Sequence, residues 1–228
     1  MRTLNWYFDF VSPYAYLQSA RLEEFAEHVL VRCHPVLFAG MLQHHGHKGP
    51  AEIASKRRFT YEHVTWLAQR NNIPLTWPPH HPFNPLPLLR LAILLDAPID
   101  VVRRLFAFVW RDGHLPDDPV AWHALLEELK VAPEELDAPE VKEALREDTR
   151  TAIEAGVFGV PTVELDGQLI WGFESTDMVR AKIAEDAFFD SPAIVAARNV
   201  PAGVQPRTCR GTGPVPGPRG DGPRGRPG

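Results

Sequence analysis

The sequence predicts an α/β fold in which a sheet of the order βαβ…ββα is interrupted at its middle by an all-helical insertion, and three observations predict it. Trp6, Phe8 and Phe10 alternate with Asn5, Tyr7 and Asp9 and run straight into Ser12-Pro13, so a strand hands over to a helix at a serine. Between Gly40 and Ala155 the apolar spacing becomes helical. Asp166-Gly167 then divides two short apolar runs in the way a tight hairpin turn does.

The elements follow in order. Ser12 is placed as N-cap and Pro13 as first helical residue, since proline's fixed φ and missing donor cost nothing there. The helix from Pro13 to about His28 sets Ala15, Leu22, Phe25, Ala26 and Val29 on one face, and a strand follows from Leu30 to Val36. Inside the insertion, Val64, Leu67 and Ala68, then Val102, Leu105, Phe106, Val109 and Trp110, then Val141, Leu145 and Ala152 recur at helical spacing. The run Leu86 to Leu95 reads as a buried helix, Asp118-Pro119 as a second cap, and Gly156 as a helix stop. Residues 162–165 and 168–171 form the hairpin, and Ser175 or Thr176 caps a closing helix carrying Met178, Val179 and Ile183. This order suggests a thioredoxin-like sheet: residues 1–38 and 156–195 make a discontinuous sheet domain and residues 39–155 the helical insertion.

At 44% hydrophobic residues the chain is rich enough for a packed core. No run of about 18 apolar residues marks a membrane span, and the N-terminus lacks the basic start and apolar stretch of a signal peptide, so a cytoplasmic protein without a membrane partner is expected. Cys33 and Cys209 lie far apart with no Cys-x-x-Cys spacing, which supports neither a disulfide framework nor a zinc site. Cys33 reads as a small hydrophobe in an apolar run. The net charge of −5 is uneven: residues 201–228 hold five arginines and one aspartate, so that tail carries +4 and the remainder −9. An acidic body argues against nucleic acid as partner. The tail is dominated by proline, glycine and arginine and is expected to be disordered, either a dispensable extension or a basic arm for an anionic surface.

The first strand-to-helix junction is a candidate site in its own right. Backbone N–H groups and the positive end of a helix dipole converge at Ser12, where an anion such as a thiolate is stabilised. Serving only as a cap is the alternative reading of Ser12. The histidines His44, His45, His47, His80 and His81 read as loop residues beside glycine and proline, without i, i+4 spacing or a nearby cysteine or acidic partner, so no metal is expected.

Two segments carry a resemblance: Tyr7-Phe8-Asp9-Phe10-Val11-Ser12-Pro13-Tyr14-Ala15-Tyr16-Leu17, and Gly156-Val157-Phe158-Gly159-Val160-Pro161-Thr162. Together they resemble the 2-hydroxychromene-2-carboxylate isomerases and the kappa-class glutathione transferases, within the DsbA-like branch of thioredoxin folds. The similarity spans roughly residues 3–190. Relatives in that superfamily place the attacking cysteine of a Cys-x-x-Cys pair at the start of the first helix, whereas this chain has Ser12-Pro13-Tyr14-Ala15, so disulfide exchange by the usual route is excluded.

The resemblance implies instead that Ser12 holds the sulfur of bound glutathione, which is then the cofactor and source of the nucleophile. It implies a cis bond at Pro161 in Val160-Pro161-Thr162, whose backbone pairs with the cysteinyl part of glutathione; a role in the fold alone is the alternative. Glu174 and Ser175, in Trp171-Gly172-Phe173-Glu174-Ser175, correspond to the segment that holds the γ-glutamyl end, with Glu174 suited to its α-ammonium; an exposed glutamate near a helix cap is the alternative. His47, Lys48, Lys56, Tyr61 and Asn84 resemble substrate-side segments. Relatives often carry asparagine where His47 stands, a solvated helix face also accounts for Lys56, and a turn residue for Asn84. The activity implied is glutathione-dependent isomerisation of 2-hydroxychromene-2-carboxylate or a related aromatic 2-oxo acid, by reversible thiolate addition, bond rotation and elimination, in a homodimer acting on a small molecule. A kappa-like glutathione transferase or peroxidase is the first rival and a non-catalytic DsbA-like binding protein the second.

Overall fold

The computed structural model describes residues 1–201 and residue 203. The tail expected to be disordered lies outside the described residues, apart from Pro201 and Gly203. Residues 1–186 form one compact unit, and a second begins at Ala187.

The first unit opens with β1 (Thr3–Phe8), α1 (Pro13–Ser19), α2 (Leu22–Ala26) and β2 (Leu30–Pro35). A helical stretch follows: α3 (Phe38–His45), α4 (Ala54–Arg70), α5 (Leu86–Leu94), α6 (Ile99–Trp110), α7 (Pro119–Leu129) and α8 (Pro139–Glu154). The chain then returns as β3 (Thr162–Leu165), β4 (Gln168–Trp171) and α9 (Thr176–Ile183). The four strands form one mixed sheet in the order β2-β1-β3-β4, with β1 parallel to β2 and antiparallel to β3. This is the predicted α/β, thioredoxin-like arrangement. In the second unit, α10 (Pro192–Arg198) is capped by Ser191, whose Oγ accepts from the Ile194 N–H at 3.5 Å. No helix among the described residues is long and apolar enough to cross a membrane.

The local signals account for most boundaries. Asp118 Oδ1 accepts from the Val120 and Ala121 N–H groups at 3.2 Å and starts α7. Asp166 and Gly167 adopt φ of +52° and +75°, the pair of left-handed conformations that a two-residue hairpin turn requires. Gly156, at φ +89°, ends α8.

Four expectations need correction. The first helix is two helices, broken at Ala20 and Arg21; the break shifts the register, so Leu22 and Phe25 remain buried while Ala26 is exposed. His44 and His45 are the last residues of α3 and not loop residues. Ser175 makes no side-chain capping bond to α9; the hydroxyl of Thr176, the helix's first residue, instead turns back to the Phe173 carbonyl at 2.5 Å. Residues 71–85, inside the stretch expected to be helical throughout, contain no helix. That span is held by one side-chain and one backbone bond: the Tyr16 hydroxyl donates to the Pro74 carbonyl, and the Thr76 N–H to the Trp110 carbonyl at 2.7 Å.

Strand β1 is buried on both faces. Leu4, Trp6, Phe8 and Phe10 join the main core, where the Phe106 ring of α6 lies 6.0, 5.6 and 4.6 Å from those of Trp6, Phe8 and Phe10. On the opposite face Tyr7 packs with Val36, Met41, Ala152, Val157 and Val160. Phe106 therefore links the sheet to the helices. Phe106→Ala is expected to destabilise the fold by about 3–5 kcal/mol, the ordinary cost of deleting a buried phenyl ring, measured by chemical denaturation; a loss below about 1 kcal/mol would show that the core closes around the gap.

A candidate active site at the first strand-to-helix junction

Ser12 lies where β1 gives way to α1 and is only 8% exposed. Its Oγ accepts from the Ala15 N–H at 3.2 Å, so it is the N-cap, with Pro13 next. The same Oγ faces the Val160 carbonyl at 3.4 Å, close to the limit for a hydrogen bond. Val160-Pro161 is a cis peptide, as expected, and brings β3 back against the junction. The Val160 N–H has no hydrogen-bond partner among the described residues. The pairing of Ser12 with Val160 joins two segments far apart in the chain.

The junction is pinned by groups whose part in it is not legible in the sequence. Asp9 is fully buried: Oδ1 accepts from the Val11 N–H at 3.0 Å and Oδ2 from the Phe38 N–H at 2.9 Å, while its own carbonyl accepts from the Ser12 N–H at 3.0 Å. The Phe10 carbonyl accepts from Trp110 Nε1 at 2.9 Å and the Val11 carbonyl from His81 Nε2 at 2.9 Å. A carbonyl cannot donate, so His81 carries its proton on Nε2, and Nδ1 is left to face the Tyr61 hydroxyl at 2.8 Å. Burial lowers the pKa of His81, which keeps the ring neutral in this arrangement. Tyr61, expected on the substrate side, is thus engaged with His81.

Glu174 stands on the turn between β4 and α9. Buried Gln18, on α1, ties that turn to the junction: its Oε1 accepts from Trp6 Nε1 at 2.8 Å and its Nε2 donates to the Gly172 carbonyl at 3.2 Å. Glu174 is half exposed, and its Oε1 lies 3.7 Å from Nδ1 of His63 on α4. The same nitrogen is 3.0 Å from the Tyr14 hydroxyl. Burial first, then the charge of Glu174, pushes the Tyr14 hydroxyl up to about 12.

The remaining candidates sit further out. His47 and Lys48 are exposed between α3 and the Pro50–Glu52 turn, and Lys56 is exposed in the first turn of α4. Asn84 is exposed before α5, with Oδ1 accepting from the Leu86 N–H at 3.1 Å, the contact of a turn residue. Ser12, Val160, Pro161 and Glu174 are thus brought around the start of α1, whereas His47, Lys48, Lys56 and Asn84 form no hydrogen bond or ion pair with them. Asp9, Tyr14 and His63 complete the site. A polar residue between Phe8 and Phe10 was the available signal for Asp9, and the spacing of Phe59, His63 and Trp66 along one helix that for His63.

Comparison with known proteins adds a family context. A family model described as a DSBA-like thioredoxin domain matches residues 3–184. The chain is 29% identical over 188 residues to 2-hydroxychromene-2-carboxylate isomerase of Pseudomonas putida, an alignment covering 78% of this chain and 92% of that protein. It is 24% identical over 220 residues to glutathione S-transferase kappa 1 of Homo sapiens, covering 86% of this chain and 97% of that one. A solved structure of 2-hydroxychromene-2-carboxylate isomerase superposes with a TM-score of 0.72 at 25% identity, covering 80% of this chain and 95% of that one.

Asp9 gives the site a pH signature. Loss of water around the carboxylate pushes its pKa up from 3.8 to about 7, against the pull of its two backbone N–H donors. Between the unfolded value near 3.9 and about 7 the folded chain keeps a proton that the unfolded chain releases, so this contribution is present in acid and is lost as pH rises through that window. Asp9→Asn is expected to remove that decline, a difference on the order of a few kcal/mol by neutral pH. Denaturation midpoints of the two proteins from about pH 4 to 8 test it; parallel curves would mean that Asp9 does not titrate there.

Proposed function

Because this chain belongs to the family of DSBA-like thioredoxin domains, we propose that it is a glutathione-dependent isomerase of 2-hydroxychromene-2-carboxylate or a related aromatic 2-oxo acid. One observation carries the reading: the N-cap of α1 is a serine whose hydroxyl faces the backbone at a cis Val160-Pro161 bond. A hydroxyl there holds a sulfur but does not replace one, so a thiol has to come from a ligand. The similarity to proteins named as 2-hydroxychromene-2-carboxylate isomerase and glutathione S-transferase kappa supports both halves of the proposal.

The residues present fit a glutathione peptide. Val160 offers an unpartnered N–H and a carbonyl held only by a long contact from Ser12, one donor and one acceptor for an extended cysteinyl backbone. Glu174 offers a half-exposed carboxylate to the α-ammonium, and Ser175 a hydroxyl beside it. When bound, glutathione would supply a thiolate for reversible addition to the conjugated acid, so that a double bond becomes single, turns, and is restored on elimination. Ser12 would turn its O–H from the Val160 carbonyl to the sulfur while the Ala15 N–H continues to orient its oxygen. The start of α1 favours the anionic sulfur. Lys56, Lys48 and His47 would attract the substrate carboxylate, and Asn84, with Oδ1 already engaged, would contribute through Nδ2.

A second reading, a kappa-like glutathione transferase, is favoured by the match to glutathione S-transferase kappa 1. An isomerase regenerates glutathione, whereas a transferase consumes it. A binding protein without catalysis would show neither effect.

The test is the absorbance change of 2-hydroxychromene-2-carboxylate with the protein, with and without glutathione. Conversion is expected only with glutathione and without its consumption. Ser12→Ala is expected to lower turnover about 100-fold or more, the ordinary cost of deleting one donor to a stabilised anion. The same change should cost the fold only about 1 kcal/mol, as for other helix caps. Unchanged turnover would remove Ser12 from the reaction.

A further inference from the structure

Glu174, the carboxylate assigned to the ammonium of glutathione, already faces a group within the chain. His63 Nδ1 lies 3.7 Å from its Oε1, within reach of an ion pair but beyond a hydrogen bond. The imidazole is held in that attitude by its neighbours on α4: Phe59 stacks at 5.4 Å with 20° between planes, and Trp66 at 6.1 Å with 15°. Arg70 sits over the outer Trp66 ring at 5.5 Å. From α1, Tyr14 points its hydroxyl at the same Nδ1 from 3.0 Å, and Thr60 of α4 hydrogen-bonds to Tyr14. Among the described residues, Tyr14 and Glu174 are the titratable groups that contact the ring, and Arg70 reaches only Trp66.

This arrangement suits two protonation states of His63. With Nδ1 unprotonated, Tyr14 donates its O–H to the nitrogen, and Glu174 faces a lone pair with nothing to bind. With Nδ1 protonated, Tyr14 and Glu174 both become acceptors for it, and the ring carries a positive charge beside the carboxylate. Tyr14 keeps its own proton throughout, so it can serve in either role.

We propose that His63 is an internal cation for Glu174: its protonated imidazole occupies the carboxylate that the α-ammonium of glutathione takes in the complex, and glutathione binding releases that proton. The inference rests on the glutathione site proposed above. It makes His63 a specificity-determining residue, since only a ligand whose own cation reaches Glu174 offsets the loss of the internal pair, and an analogue without the amine does not. By linkage, acid weakens glutathione binding, and bound glutathione makes His63 harder to protonate.

The experiment uses S-methylglutathione, which keeps the γ-glutamyl end but has no thiol to titrate, and measures its affinity by calorimetry at about pH 7.5 and about pH 5.5. For the unaltered protein the affinity is expected to fall at least about fivefold on acidification, the lower end of ordinary coupling between two sites. His63→Phe keeps the ring stack but lacks the cation; its affinity should stay nearly constant and exceed that of the unaltered protein at the lower pH. Asp9 titrates in the same window but is present in both proteins, so the difference between them belongs to His63. His63→Gln, which keeps a hydrogen-bonding group without charge, should show the same flattening and serves if the phenylalanine variant does not fold. Imidazole NMR supplies an independent readout: saturation with S-methylglutathione should move the His63 titration to lower pH. Parallel pH profiles in the three proteins, or an unmoved titration, would overturn the role of His63 and leave the glutathione site standing. No binding at either pH in any of them would remove the site and the inference together.

Discussion

The structure depends on the hydrogen bonds that tie down the backbone where β1 turns into α1. A central strand buried on both faces ends at Phe8, and the next four residues have little access to water, so an unmet N–H or C=O there would cost on the order of 1–3 kcal/mol. Asp9 takes the Val11 and Phe38 amides, Trp110 takes the Phe10 carbonyl, and His81 takes the Val11 carbonyl. Three of these bonds reach distant parts of the chain, and the one from Asp9 to Val11 is local. The position of Ser12 is therefore a consequence of four separate bonds and not of the local sequence alone.

This explains why the helical stretch and the sheet behave as one body around the junction. Trp110 ends α6, His81 lies in the non-helical span after α4, and Phe38 starts α3, so the junction gathers the chain's helical half onto the sheet's end. Gln18 does the same for the turn that carries Glu174. A site built from such bonds holds its groups in place before any ligand arrives, which is the arrangement that positioning and anion stabilisation need. Ser12 and Val160 are buried in the junction, whereas Glu174 is half exposed and 3.7 Å from His63.

The chemistry follows from one atom. An oxygen in place of a sulfur at the N-cap keeps the anion-favouring end of α1 but removes the chain's own nucleophile. Asp9 beside it, with its pKa raised to about 7, is the opposite case: an ionisable group the structure keeps dry and uses for its acceptors. Ser12 carries no charge of its own, and burial holds Asp9 back from taking one.

Sequence by itself determined the elements, their order and their punctuation, because these rest on short-range physics: alternation in β1, helical spacing in α4, α6 and α8, proline after Ser12 and Asp118, and left-handed backbone at Asp166-Gly167 and Gly156. It also placed Ser12, Val160-Pro161 and Glu174 as site candidates through their likeness to a family pattern. Tertiary structure alone decided the break at Ala20, the loss of helix over 71–85, the unused cap at Ser175, and the contacts of Asp9, Tyr14 and His63. A strand position occupied by aspartate looks solvent-exposed by pattern, and only the arrival of Phe38 beside Val11 makes it a buried acceptor. His63 and Glu174 belong to elements that no local rule connects; their meeting is set by how α4 and the β4–α9 turn pack around α1, a matter of long-range burial and not of sequence spacing.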